Sequence, residues 1–106
     1  MAKAYIQHRF TKQTPEAYYI TVDFSARLAS GETLLDAGST IVAVDKLGNI
    51  VSTTVLDSGK HVIGTPEVLV FVRAGDDRQD YKISLNINSS NGSNYEHDIL
   101  MMVRNE

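Results

Sequence analysis

From Asp80 to Asn88 polar and apolar residues alternate without a miss. Tyr81, Ile83, Leu85 and Ile87 fall on one side, and Asp80, Lys82, Ser84, Asn86 and Asn88 on the other. Ser89-Ser90-Asn91-Gly92-Ser93-Asn94 follows, a turn built around an Asn-Gly pair. A second run then places Tyr95, His97, Ile99, Met101 and Val103 in phase. Successive side chains of a strand point to opposite faces, so the pattern predicts two half-buried β-strands joined by a tight loop. This hairpin fixes the class as all-β.

The rest of the chain agrees. Ala4 to Phe10 reads as a first strand, closed by a loop that ends at Pro15. Tyr18 to Leu28 reads as a second, with Tyr18, Ile20, Val22, Phe24, Ala26 and Leu28 on one face. Ser30-Gly31-Glu32 is a turn, and Thr33 to Ala37 fits either a short helical turn or an extended segment. Thr40 to Asp45 is β-rich, Asp45 to Asn49 turns, and the β-branched run Ile50 to Leu56 reads as another strand. His61-Val62-Ile63 is a short extended piece before Gly64-Thr65-Pro66. Glu67 to Arg73 is apolar on both faces, which predicts a central or covered strand. No stretch keeps helical apolar spacing. About seven strands, with turn signals every eight to twelve residues or so, predict a β-sandwich or a small barrel. At 106 residues the chain is expected to form a single domain, residues 1–106.

Composition narrows the functions. There is no cysteine, so disulfides, cysteine-ligated zinc and a cysteine nucleophile are excluded. Ten basic and thirteen acidic residues give a net charge of −3, and the basic residues are scattered. That argues against nucleic acid as a partner. No apolar run is long enough for a signal peptide or membrane span, so no membrane partner is expected.

Chemistry-bearing residues do not cluster in the sequence. His8, His61 and His97 lie far apart, with no second ligand at helical or strand spacing. Asp76, Asp77 and Asp80 form the densest acidic group, but not at the spacing of a calcium loop, and Arg78 sits inside it. A solvated turn is the simpler reading. Asp23 lies on the polar face of its strand without a visible acid partner, and no serine has a nucleophile-elbow setting. The expectation is therefore a non-enzymatic protein with no catalytic residues, no metal and no cofactor. One feature goes beyond core formation. Leu100 and Met102 point opposite to Ile99, Met101 and Val103, between Glu96, Asp98 and Arg104. Either a loop covers this pair or a partner does, which makes Leu100 and Met102 the candidate partner-binding residues.

Two blocks of sequence resemble a known family. The first is Tyr19-Ile20-Thr21-Val22-Asp23-Phe24-Ser25, followed by Leu28-Ala29-Ser30-Gly31-Glu32-Thr33-Leu34. The second is Val70-Phe71-Val72-Arg73-Ala74-Gly75-Asp76-Asp77 with Tyr81-Lys82-Ile83, then the Ser90-Asn91-Gly92 turn and Glu96-His97-Asp98-Ile99. In their order these resemble the short phage and prophage structural proteins labelled fibre–tail adaptor proteins, over about residues 17 to 104. The resemblance implies an immunoglobulin-like β-sandwich of about seven antiparallel strands. It also implies synthesis in a bacterial cytoplasm and a part in virion assembly through tail or virion subunits or self-association. It carries over no catalytic residues. The rival expectation is a small ligand-binding module, for example one recognising carbohydrate, for which Tyr5, Tyr19 and Phe71 are the spare aromatics.

Overall fold

The computed structural model describes residues 4–5 and 9–105, with side chains from Arg9 to Asn105. Among the described residues the chain is all-β apart from two single turns of helix. Its strands are β1 (Ala4–Tyr5), β2 (Arg9–Lys12), β3 (Tyr18–Asp23), β4 (Leu34–Val44), β5 (Val62–Ile63), β6 (Glu67–Val72), β7 (Asp80–Ser89) and β8 (Asn94–Val103). A helical turn α1 (Ser52–Val55) and a 3-10 turn (Ser58–Lys60) lie between β4 and β5. The first sheet has the order β1-β3-β6-β5 and the second β2-β8-β7-β4.

One core joins the two sheets. Ile20 and Val22 of β3 and Val68, Val70 and Val72 of β6 meet Tyr81, Ile83, Leu85 and Ile87 of β7 and Ile99, Met101 and Val103 of β8. These are the residues that the alternating pattern places inward, and each is almost fully buried. The β7–β8 ladder runs in unbroken antiparallel register from Asp80↔Met102 to Asn88↔Asn94. Its loop closes through Ser89 N–H to the Ser93 carbonyl, 2.9 Å.

The strand inventory differs from the expectation of about seven antiparallel strands. Eight strands occur among the described residues, and β1–β3 and β2–β8 are parallel pairs. The stretch Ala4 to Phe10 contributes to both sheets rather than forming one strand; its middle, residues 6–8, lies outside the described residues. A parallel neighbour is joined by a long crossover and leaves no hairpin signal in the sequence.

The second strand is shorter than predicted. It stops at Asp23, whose carboxylate accepts the Ser25 N–H at 2.8 Å, and Arg27 N–H closes the turn on the Phe24 carbonyl. An aspartate that bonds the backbone two residues on competes with the ladder and turns the chain. Phe24 stays buried, while Ala26 is exposed.

The segment Thr33 to Ala37 proves extended and belongs to the long β4. Its pairing with β7 slips between Leu35 and Thr40. Ser39 bridges that gap: its hydroxyl accepts the Asn88 N–H at 2.9 Å and donates to the Leu35 carbonyl. Gly38 makes the bulge possible. Its φ is +78°, and a Cβ there would strike the Asn88 side chain.

The run Ile50 to Leu56 is not a strand. Ile50 makes one bridge to Val44, then the chain turns through α1 and returns as a bridge from Leu56 to Val72. The reason lies in backbone hydrogen bonding. Val51 N–H donates to the Ala43 carbonyl and the Ser52 hydroxyl accepts the Ala43 N–H, which covers the free edge of β4. Arg73 N–H then donates to the Val55 carbonyl and Asp57 N–H to the Phe71 carbonyl, which covers β6 in the other sheet. The segment straps two edges that belong to different sheets, so it has to turn between them.

Lys12 was not singled out by the sequence. It follows Phe10 in the inward phase of β2 and is 1% exposed. Its ammonium donates to the carbonyls of Gln13 (2.7 Å), Thr14 (3.3 Å) and Ala74 (2.5 Å). Burial lowers its pKa, while Glu16 acts in the opposite sense. A buried ammonium needs such partners, and these tie β2 to the turn after β6.

Candidate functional site

The outer face of the second sheet is set by three registers. β8 lies between β2 and β7, and β4 lies beyond β7. Leu100 therefore has Arg9 on one side and Lys82 on the other, with Val44 beyond Lys82. Met102 sits between Thr11 and Asp80. Ile50 continues the Leu100 row through its bridge to Val44. The row thus reads Ile50, Val44, Lys82, Leu100, Arg9, and Val42 lies one step along β4. Leu100 is 36% exposed and Ile50 75%, while Met102, Val42 and Val44 are half-buried.

Leu100 and Met102 therefore lie together on a sheet face, as their phase required. Two points modify the expectation. β8 does not offer a free edge, because β2 pairs along it from Leu100 to Val103. The same face also carries Val42, Val44 and Ile50 at β4, separated from the pair by Lys82 and Ser84 of β7. Those three carry no signal in the sequence, because their place depends on how β4 registers against β7. Charge surrounds the strip: Arg9, Lys82, Glu96 and Asp98 are exposed, and Arg104 binds Asp80 at 2.7 Å.

The other candidate residues are dispersed. His8 lies outside the described residues. His97 is half-buried, with its Nδ1 3.1 Å from the Arg27 guanidinium and its ring beside Phe24. His61 accepts the Phe71 N–H on Nδ1 at 3.1 Å, which extends the strap's cover of β6. Burial lowers its pKa, partly opposed by Asp57. In the acidic loop, Asp77 accepts the Asn105 N–H at 2.8 Å, and Asp76 N–H donates to the Tyr81 hydroxyl at 2.9 Å. No group of three potential ligands that could hold a metal ion occurs among the described residues. Register places Glu67 directly opposite Asp23, the acid neighbour the sequence did not reveal. Tyr19 and Phe71 meet edge to face at 5.0 Å on the outer side of the first sheet, and the Lys60 ammonium sits 4.3 Å over the Phe71 ring. The side chain of Tyr5 lies outside the described residues.

One polar cluster was missed altogether. Glu32 is 7% exposed at the hairpin end of the molecule. It accepts the Ala29 N–H at 2.8 Å and the Tyr95 hydroxyl at 2.9 and 3.0 Å. Hydrogen bonds from Ser89 and Ala29 hold its carboxyl below the usual range, with Tyr95 and Asn91 adding to the effect. Burial, and then the bond to Glu32, push the Tyr95 phenol up. A Glu in a Ser-Gly-Glu turn looks solvated in sequence, and only the approach of the β7–β8 loop buries it.

No helix among the described residues is long and apolar enough to cross a membrane. No protein family and no curated protein matches the chain.

Proposed function

We propose that this chain is a non-enzymatic structural or assembly protein of a phage or prophage particle, of the tail or fibre adaptor kind. It works by protein–protein contact through the outer face of β8. The observation that carries the reading is the Leu100–Met102 pair: apolar side chains on a sheet face, with Leu100 open to solvent and Val42, Val44 and Ile50 on the same face across Lys82 and Ser84. Apolar surface rimmed by charge is the usual composition of a contact patch.

The fold belongs to this proposal in its finer form, an immunoglobulin-like sandwich. The order β3-β6-β5 against β8-β7-β4 supports it, because it follows the B-E-D and G-F-C sheets of such domains. The parallel β1–β3 pair is a departure from that pattern. Fold alone does not assign a virion role; the virion part of the proposal rests on the resemblance of the motifs between residues 17 and 104.

The test is Leu100→Lys combined with Met102→Lys. The melt should stay within about 0.5 kcal/mol of the parent, as for ordinary surface changes. Incorporation into particles should be abolished. A double variant that enters particles as the parent does removes this face from assembly. Loss of several kcal/mol in the isolated chain would instead assign the pair to its own core.

A further inference from the structure

The outer face of the second sheet is complementary to itself. Along β8 the outward residues run Asp98, Leu100, Met102, and the next outward position is Arg104. The order is acidic, apolar, apolar, basic. Laid antiparallel on its own copy, Asp98 meets Arg104 and Leu100 meets Met102. β7 repeats the match. Lys82 lies beside Leu100 and Asp80 beside Met102, so the same reversal sets Lys82 against Asp80. Lys82 and Asp98 are exposed and form no ion pair among the described residues, while Asp80 and Arg104 are already held together.

We propose that this face packs on the same face of a second copy of the chain, with the two-fold axis passing between Leu100 and Met102. The inference rests on the assembly reading above and names the partner for that same surface. A two-fold contact requires each patch to be its own complement, and few surfaces are. In these two pairs no charge meets its like: each copy offers Asp98 and Lys82 and receives Arg104 and Asp80. An axis along β8 would instead set Lys82 of one copy against Arg9 of the other, and Asp98 on Asp98. Four strands about 4.8 Å apart, over about eight residues of about 3.3 Å each, give a footprint of about 500 Å². A standard stable interface takes about 800 Å² per partner, so the pair is weak and reversible and forms at high local concentration.

Sedimentation velocity of the purified chain, from about 10 μM to 1 mM, covers the range of such weak pairs. A reversible monomer–dimer equilibrium is expected. Asp98→Lys, which faces Arg104, and Lys82→Asp, which faces Asp80, should each weaken it tenfold or more with the melt unchanged. The chain has no cysteine, so a second measurement is clean. Under mild oxidation, Leu100→Cys mixed with Met102→Cys should cross-link faster than either alone. A monomer at every concentration overturns the pairing, and so does a dimer indifferent to both charge reversals or a mixture that cross-links no faster. If the chain is monomeric but the Leu100→Lys, Met102→Lys variant still fails to enter particles, the assembly role stands with a different partner. If the dimer forms as described but that variant enters particles normally, the pairing stands and the assembly role falls.

Discussion

The β7–β8 hairpin and the strap from Ile50 to Ile63 are built from similar residues and obey different rules. Both are rich in aliphatic and β-branched side chains. In the hairpin each residue's place follows from its neighbours two positions away, because one face turns to the core, buried along β7 and from Ile99 to Val103 and half-buried at Tyr95 and His97. In the strap, place follows from distant backbone groups. Ala43 and Phe71 lie in different sheets, and both their N–H and C=O groups are satisfied by the strap, through Val51, Ser52, Asp57 and His61. Side-chain alternation reports which face is covered. It does not report which hydrogen-bonding edge needs a partner, and buried backbone groups must have one.

The largest test of this contrast is in the hairpin. Ile83 is fully buried and Lys82 beside it is exposed. Ile83→Asp should unfold the domain, since an unpaired buried carboxylate costs about 5 kcal/mol or more. Lys82→Asp should leave the melt within about 0.5 kcal/mol. Equal losses in thermal melts would mean that alternation does not govern the hairpin. In the strap, Val55 is fully buried and packs in the same core. Val55→Ala removes two methyl groups and should cost about 2 kcal/mol by urea denaturation. Thr53→Ala and Thr54→Ala, at exposed positions of α1, should be nearly neutral. A strand through this segment would instead make the alternate positions 51, 53 and 55 sensitive together.

Much of the fold is legible before any coordinates. β3, β6, β7 and β8 follow from period-two patterning, and their inward residues form the core. Leu100 and Met102 were legible as apolar residues out of phase with their neighbours. What stayed hidden depends on pairing at long range. The β2–β8 register, the position of Ile50 beside Val44 and the burial of Glu32 each need two distant segments to meet. The turn at Asp23 was hidden for a local reason: Phe24 keeps the inward phase even after the ladder has stopped.

Two smaller effects sharpen the comparison. Ser52→Ala removes the acceptor for the Ala43 N–H at the edge of β4. It should cost about 1 kcal/mol and speed hydrogen exchange at Ala43 ahead of the hairpin amides. Unchanged protection at Ala43 would deny the strap its role. The smallest effect is in pH. The folded pKa of His61 lies below its ordinary value of 6.5, so the neutral ring belongs to the folded state. Its contribution is complete above about 6.5 and is lost as pH falls towards the lower folded value. Glu32 also titrates low in the folded state, from an ordinary value of 4.5. Its contribution therefore persists until the carboxylate range. Between about pH 6.5 and 5 the strap should loosen while the hairpin end holds. Melts across that range should show a decline that His61→Gln reduces and Glu32→Gln leaves in place. A decline that follows Glu32 instead would reverse the assignment.

The parallel pairing of β2 with β8 has a mechanical consequence. The two strands run in the same direction, side by side from Arg9↔Leu100 to Lys12↔Val103. A load that pulls backwards on the start of β2 and forwards on the end of β8 meets their hydrogen bonds side-on. The bonds are then strained together rather than opened in turn, as they would be in a hairpin pulled at its open end. Lys12, bound to Ala74 across the end of the pair, adds a tether from outside the ladder. A pulling experiment on these two ends would read the arrangement as a single rupture, lowered by Lys12→Ala. A chain pulled in this way would carry the tension first through one strand pair.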